Sequence, residues 1–433
     1  MTLNVAVVGT GPAGFYAADA VLKRIPDCRV DLIDRLPTPF GLIRFGVAPD
    51  HQTTKKIMRA FDKTAREAQC RFFGNVELGR DVSLDELRAN YDAVIIAVGA
   101  GNDRAAGVPG ENKKGVIGSA TFVGWYNAHP DFRDLNPPLD TKNVVVIGNG
   151  NVAIDVARVL VKTRAEMAEA DLPEHVQAAI ERSPITDVYL VGRRGPMEAK
   201  FTNVELREMG ELTHAAAVVD PRQLPEAVGE VEDERDRRLK QKNLSTLKEF
   251  VEHGAAAKSK RVHFVFFAAP VEIKGGDRAE AVRFERARVE NGRAVGTGEF
   301  FEIPCGLVIT AIGYRSLPVA GLPFDARNHI VPSREGCVSD GLYVVGWIKR
   351  GPSGVISTNR PDGAEAAEHI VANVKPAGKA GRDALARLLA ERKVRVVSYA
   401  DWQKIEAAEI AAAVKPSPRR KFTTIPEMLA ALT

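Results

Sequence analysis

Short runs of consecutive apolar residues recur along this chain: LNVAVVG (3–9), the end of CRVDLID (28–34), YDAVIIAVGA (91–100), KNVVVIG (142–148), TDVYLVG (186–192) and GLVITAIGY (306–314). Four of the six end in glycine or alanine. Runs without polar alternation predict strands buried on both faces, as in parallel sheets. After the first and fourth runs come FYAADAVLKRI (15–25) and NVAIDVARVL (151–160), whose apolar residues return at helical spacing. Strand and helix alternating in this way predict an α/β fold.

The turns between those strands and helices are rich in glycine. Gly9-Thr10-Gly11-Pro12-Ala13-Gly14 matches G-x-G-x-x-G and stands between a strand and a helix, the context that gives the match its meaning. Gly9 permits the tight turn, Gly11 lets the backbone approach a pyrophosphate at the helix N-terminus, and Gly14 lets helix and strand pack closely. The next strand ends at Asp34, placed to accept hydrogen bonds from an adenosine ribose. The loop PTPFGLIRFGVAPDH (37–51) follows; its length and its prolines and glycines suit a cover over a bound ring system, which favours FAD over NAD for this first turn.

The device appears again at 142–160: strand, Gly148-Asn149-Gly150-Asn151-Val152-Ala153, helix, with alanine in place of the third glycine. Here the next strand ends in LVGRRGP, and Arg193-Arg194 stand where the first copy has its acid. A carboxylate would repel the 2′-phosphate of NADP, whereas guanidinium groups pair with it in forked, charge-assisted hydrogen bonds. The second turn is therefore expected to take NADP(H). Two Rossmann-like domains are predicted, the NADP domain (106–330) inserted into a discontinuous FAD domain (1–105 and 331–433). A Gly-rich turn into a helix near Gly354-Val355-Ile356 suits the electron-rich end of a flavin, because free N–H groups there stabilise charge.

A length of 433 residues supports two domains over one. No apolar run reaches the roughly 20 residues of a bilayer span, and Met1 leads straight into a strand, so the mature chain is expected to begin there, in the cytoplasm. Cys28, Cys70, Cys305 and Cys337 stand singly, with no C-x-x-C, which disfavours a dithiol relay, structural zinc or an intrinsic iron–sulfur cluster. No metal is expected. A net charge of +4 does not imply nucleic acid.

The blocks GTGPAGFYAA, PFGLIRFGVAPDH, FFGNVELGRDV, FVGWYN, VIGNGNVAIDVAR, VGRRGP, FTNVELREM and VGWIKRGPSGVI together resemble the adrenodoxin reductase type of ferredoxin–NADP reductase, from the first strand to about residue 430. The resemblance implies hydride transfer from NADPH to FAD and single-electron transfer to a ferredoxin, a separate iron–sulfur protein. It implies FAD contacts from Ala13, Asp34, Leu42, Leu78, Trp347 and Gly354 to Ile356. NADP contacts are implied for Asn149, Gly150, Asn151, Val152, Arg193, Arg194, Glu205 and Gly354. His51 and Glu208 match polar residues beside the flavin, where they would tune the site or move protons. In the family's variable region, Arg235, Arg237, Arg238, Lys240 and Lys242 are candidates for a positive face toward an acidic ferredoxin, although a helix of mixed charges has the same pattern. A disulfide reductase would need the missing C-x-x-C. An electron-input module of a larger complex, inactive alone, uses the same fold.

Overall fold

In the computed structural model, which describes residues 1–254 and 258–433, every residue from Leu3 to Val8 is buried. This strand has no solvent face, as its unbroken apolar run requires at the centre of a parallel sheet. Cys28–Ile33 pairs with it on one side and Ala93–Ile96 on the other, both parallel, with Val5 opposite Val30 and Ala93. Cys70–Phe73 continues the sheet beyond Cys28–Ile33. Leu342–Val344 adds to Ala93–Ile96, and the short Cys337–Ser339 closes that edge antiparallel. The helix Pro12–Arg24 packs against Asn359–Asn373, so closely that a Cβ on Gly363 would lie 2.7 Å from the Ala17 nitrogen.

Asn143–Ile147 takes the equivalent place in a second six-stranded sheet, wholly parallel, in the order Val116–Gly118, Leu307–Thr310, Asn143–Ile147, Asp187–Val191, Lys260–Val265, Ala215–Val219. The strand bearing the glycine turn is thus flanked in both sheets by the strand that follows it and by a strand that returns from later in the chain. Three antiparallel strands, Ala268–Lys274, Ala281–Glu290 and Arg293–Pro304, are paired by two hairpins. Ile273, Val282 and Phe284 from them pack with Val145, Ile147 and Val191 of the parallel sheet in one core cluster.

The chain divides into two compact units. One is Met1–Asn102, Asn127–Arg133 and Tyr314–Thr433; the other is Asp103–Tyr126 and Asp134–Gly313. The return to the first unit comes at Tyr314, earlier than the expected 331, because Leu322 and Phe324 already pack on the cluster formed by Val94, Leu342, Val344 and Ile348. The sequence pattern offers no sign of the 127–133 excursion. That segment is held within the first unit by an Arg35–Asp131 ion pair at 2.6 Å and by the rings of Phe45 and His129, 4.9 Å between centroids. Among the described residues, no helix is long and apolar enough to cross a membrane.

Candidate functional site

The first glycine turn is built by close approaches. Gly9 has φ +99°, and a Cβ on it would lie 2.5 Å from the Ala97 carbonyl oxygen, where the neighbouring strand ends. A Cβ on Gly14 would overlap the Gly9 carbonyl, so here the helix meets its own turn. Gly11, in contrast, has nothing within 4 Å of its Cβ direction. Space on that side, at the N-terminus of Pro12–Arg24, is what a pyrophosphate needs in order to meet free N–H groups.

Around that opening the first unit gathers most of the residues expected for FAD. Asp34 accepts from the Thr10 backbone N–H at 2.9 Å, from the Thr10 hydroxyl at 2.5 Å and from the Leu36 N–H at 3.0 Å. A carboxylate offers about four acceptor positions, so one remains for a ribose hydroxyl. The loop 37–51 lies directly on the turn: the Phe40 N–H donates to the Thr10 carbonyl at 2.9 Å, and a Cβ on Gly41 would be 2.9 Å from Gly11 Cα. Leu42, just beyond, is 39% exposed. His51, half-buried, precedes the short helix Gln52–Lys55 and donates its backbone N–H to Ala48. Leu78 is half-buried two residues past Val76, whose N–H donates to the Asp34 carbonyl at 2.9 Å.

Ala13 meets the C-terminal part of this unit, since a Cβ on Gly346 would lie 2.5 Å from its own Cβ. Trp347 follows, its indole N–H donating to the Ser353 carbonyl at 3.1 Å and its ring 5.8 Å from that of Tyr314. Gly354 has φ +81°, and beside it Val355 is 56% exposed while Ile356 opens a 3-10 turn that leads into Asn359–Asn373. One residue without a place in the sequence reading organises the segment. The Arg350 guanidinium donates to Asp362 at 2.8 Å, to Asn359 at 2.9 Å and to Thr358 at 3.2 Å, and reaches the Ser353 carbonyl.

In the second unit Gly148 repeats Gly9: φ is +149° and a Cβ would lie 2.9 Å from the Ala311 carbonyl carbon, again at the end of the returning strand. Gly150 repeats Gly11, with nothing within 4 Å. Arg193 is exposed and Arg194 half-buried, donating to the Gly292 carbonyl at 3.3 Å. The turn is tied to FTNVELREM: Lys200 N–H donates to the Asn149 carbonyl at 2.7 Å, and Thr202 N–H to Asn151 Oδ1 at 2.8 Å. Val152, half-buried, continues it into the helix Asn151–Val161. Glu205 and Glu208 share the helix Asn203–Glu208, capped by Thr202. Both face Arg158, which is 0% exposed and also pairs with Asp155; its distances are 3.2 Å to Glu208 and 3.7 Å to Glu205. Arg158 and Asp155 stand three residues apart in VIGNGNVAIDVAR, yet nothing in that block points to Glu205 or Glu208.

The family model of the pyridine nucleotide-disulphide oxidoreductases matches residues 3–369. The mitochondrial NADPH:adrenodoxin oxidoreductase of Arabidopsis thaliana is 41% identical over 99% of this chain and 95% of its own length. The NADPH-ferredoxin reductase FprA of Mycobacterium leprae is 41% identical over 98% and 97%. The chain belongs to the adrenodoxin reductase branch of that family. A solved structure of Mycobacterium tuberculosis FprA in complex with NADPH superposes with a TM-score of 0.94 at 39% identity, covering the whole of both chains. The disulphide in the broader family's name has no counterpart here, for all four cysteines are free. Burial, with Asp27 adding to it, pushes the Cys28 thiol up to about 11. Burial again, with Asp31 adding, takes Cys70 to about 12, and burial alone takes Cys305 to about 12. Thiols so far from ionising are poor nucleophiles.

Proposed function

We propose that this protein is an FAD-dependent ferredoxin–NADP(+) reductase. The observation that carries the reading is the pair of matching turns with opposite charge at the following strand end: Asp34 after the first and Arg193-Arg194 after the second. The open faces of Gly11 and Gly150 fit two pyrophosphates, one in each unit. FAD held by the first turn would supply hydride acceptance and single-electron release, which matches an NADPH donor and a one-electron iron–sulfur acceptor.

The chain's own residues bind and orient. We assign Gly9, Gly11, Ala13, Gly14, Asp34, Leu42, Leu78, Trp347 and Gly354 to Ile356 to FAD. Asn149 to Val152, Arg193, Arg194, Glu205 and Gly354 are assigned to NADP(H). The Arg158 pairs fix where the Glu205 and Glu208 carboxylates stand beside the second turn. His51 and Glu208 are assigned to tuning the flavin site or moving protons there. Four free thiols accord with a reducing compartment such as the cytoplasm.

Purified protein with NADPH, cytochrome c and a ferredoxin tests the reading. A yellow protein that reduces cytochrome c from NADPH much faster with ferredoxin than without it is the expected result. A colourless, inactive chain would favour an electron-input module that works only inside a larger complex.

A further inference from the structure

The loop laid over the first glycine turn contains a buried charge. Arg44, in the short helix Leu42–Phe45, is 2% exposed, and its guanidinium pairs at 2.5 Å with Glu409, which is 0% exposed. Glu409 belongs to the helix Tyr399–Ala411, far along the chain. The guanidinium also lies 5.1 Å from the ring centroid of Trp402, in that same helix, and 5.2 Å from that of Phe45. A second buried cation reaches the same helical turn from the C-terminal segment. Lys421, 5% exposed, donates from Nζ to the Arg44 carbonyl at 3.0 Å and to the Asn127 carbonyl at 3.3 Å. Glu409 in turn accepts from the Phe422 N–H at 2.9 Å and, at its carbonyl, from the Arg420 N–H at 2.8 Å. The covering loop, the 127–133 segment and the C-terminal segment thus meet on one set of charged hydrogen bonds.

Charges are costly to bury unless they are paired and hydrogen-bonded, and apolar residues would join these segments without that cost. Charged hydrogen bonds differ from apolar contact in direction. Apolar packing tolerates sliding, whereas an ammonium held by the carbonyl of Arg44 sets the position of the loop backbone itself. Three and four residues upstream of Arg44, that backbone is in contact with the dinucleotide turn through Gly41 and Phe40.

We propose that Lys421 and Glu409 are positioning residues for the FAD loop, holding residues 40–46 against the glycine turn so that the C-terminal segment sets how firmly FAD is retained. The proposal rests on the assignment of FAD to that turn. The test compares the parent holoenzyme with Lys421→Met, Glu409→Gln and Lys421→Arg, following FAD release on dilution by flavin fluorescence and amide hydrogen exchange along the chain. Lys421→Met and Glu409→Gln should each speed FAD release and exchange in residues 40–47 by about tenfold or more, corresponding to one lost charged hydrogen bond. Exchange in Leu3–Val8 and Ala93–Ile96 should not change, and Lys421→Arg should restore most of the parent's retention. Unchanged release overturns the proposal. So does faster release accompanied by faster exchange throughout those strands, since the node would then support the fold alone. A parent that purifies without FAD overturns the assignment beneath the proposal, and the proposal with it, before any variant is made.

Discussion

At the scale of the residue, opposite charges follow the ends of two equivalent strands, Asp34 after the first and Arg193-Arg194 after the second. Arg193 is exposed and Arg194 is half-buried, so both can reach a phosphate without a large desolvation cost. Replacing both with small neutral residues should raise KM for NADPH by roughly 10- to 100-fold through the loss of charged hydrogen bonds, with KM for NADH almost unchanged. Steady-state kinetics with each nucleotide checks this, and equal losses for both would refute the 2′-phosphate role. His129 offers a different test. Burial holds its imidazole below the usual range; Asp131 opposes the shift and Arg35 adds to it. The unfolded chain then takes up a proton near the ordinary value of about 6.5, where the folded chain does not. Stability is therefore complete above that value and falls as pH drops below it. Thermal melts of the parent should show this acid limb, and a His129→Gln variant should show a flatter one.

At the scale of the element, tight approaches decide what each helix can do. The helix that follows the first glycine turn, Pro12–Arg24, is backed by Asn359–Asn373 across Gly363, where a Cβ would stand 2.7 to 2.8 Å from backbone atoms of Tyr16 and Ala17. Backbone atoms cannot turn away as a side chain can. Gly363→Ala should cost about 1–3 kcal/mol as an overpacked contact and weaken FAD binding with it, measured by denaturant melts and FAD titration. Unchanged stability would mean that the two helices separate freely. The glycine turns were legible in the sequence because their chemistry is local, with a positive φ or a close approach demanding one residue type. Arg350 and Arg158 were not legible. Their partners, Asp362 with Asn359 and Glu205 with Glu208, lie elsewhere in the chain, and only folding brings them within reach.

At the scale of the whole molecule, the surface that meets an iron–sulfur partner is a matter of charge distribution. Within the helix Glu234–His253, Arg237 and Arg238 pair with Glu234, and Lys240 pairs with Asp236. Arg235 and Lys242 are exposed and make no ion pair among the described residues, so any steering by this helix falls mainly to them. Ferredoxin reduction should slow as ionic strength rises while reduction of a small neutral acceptor barely changes, and an Arg235→Gln, Lys242→Gln double variant should show a shallower salt dependence. Matching salt profiles for parent and variant would remove this helix from the docking surface. By itself the sequence determined the α/β class, the two dinucleotide turns and the opposite charges beside them, since each follows from the pattern of a short continuous segment. Only the tertiary structure decided that residues 127–133 and 314–330 belong with the first unit, that Arg158 holds both glutamates beside the second turn, and that Glu409 and Lys421 hold the loop over the first. These contacts join residues tens to hundreds of positions apart, and a buried charge has no partner in sequence until the chain has closed around it.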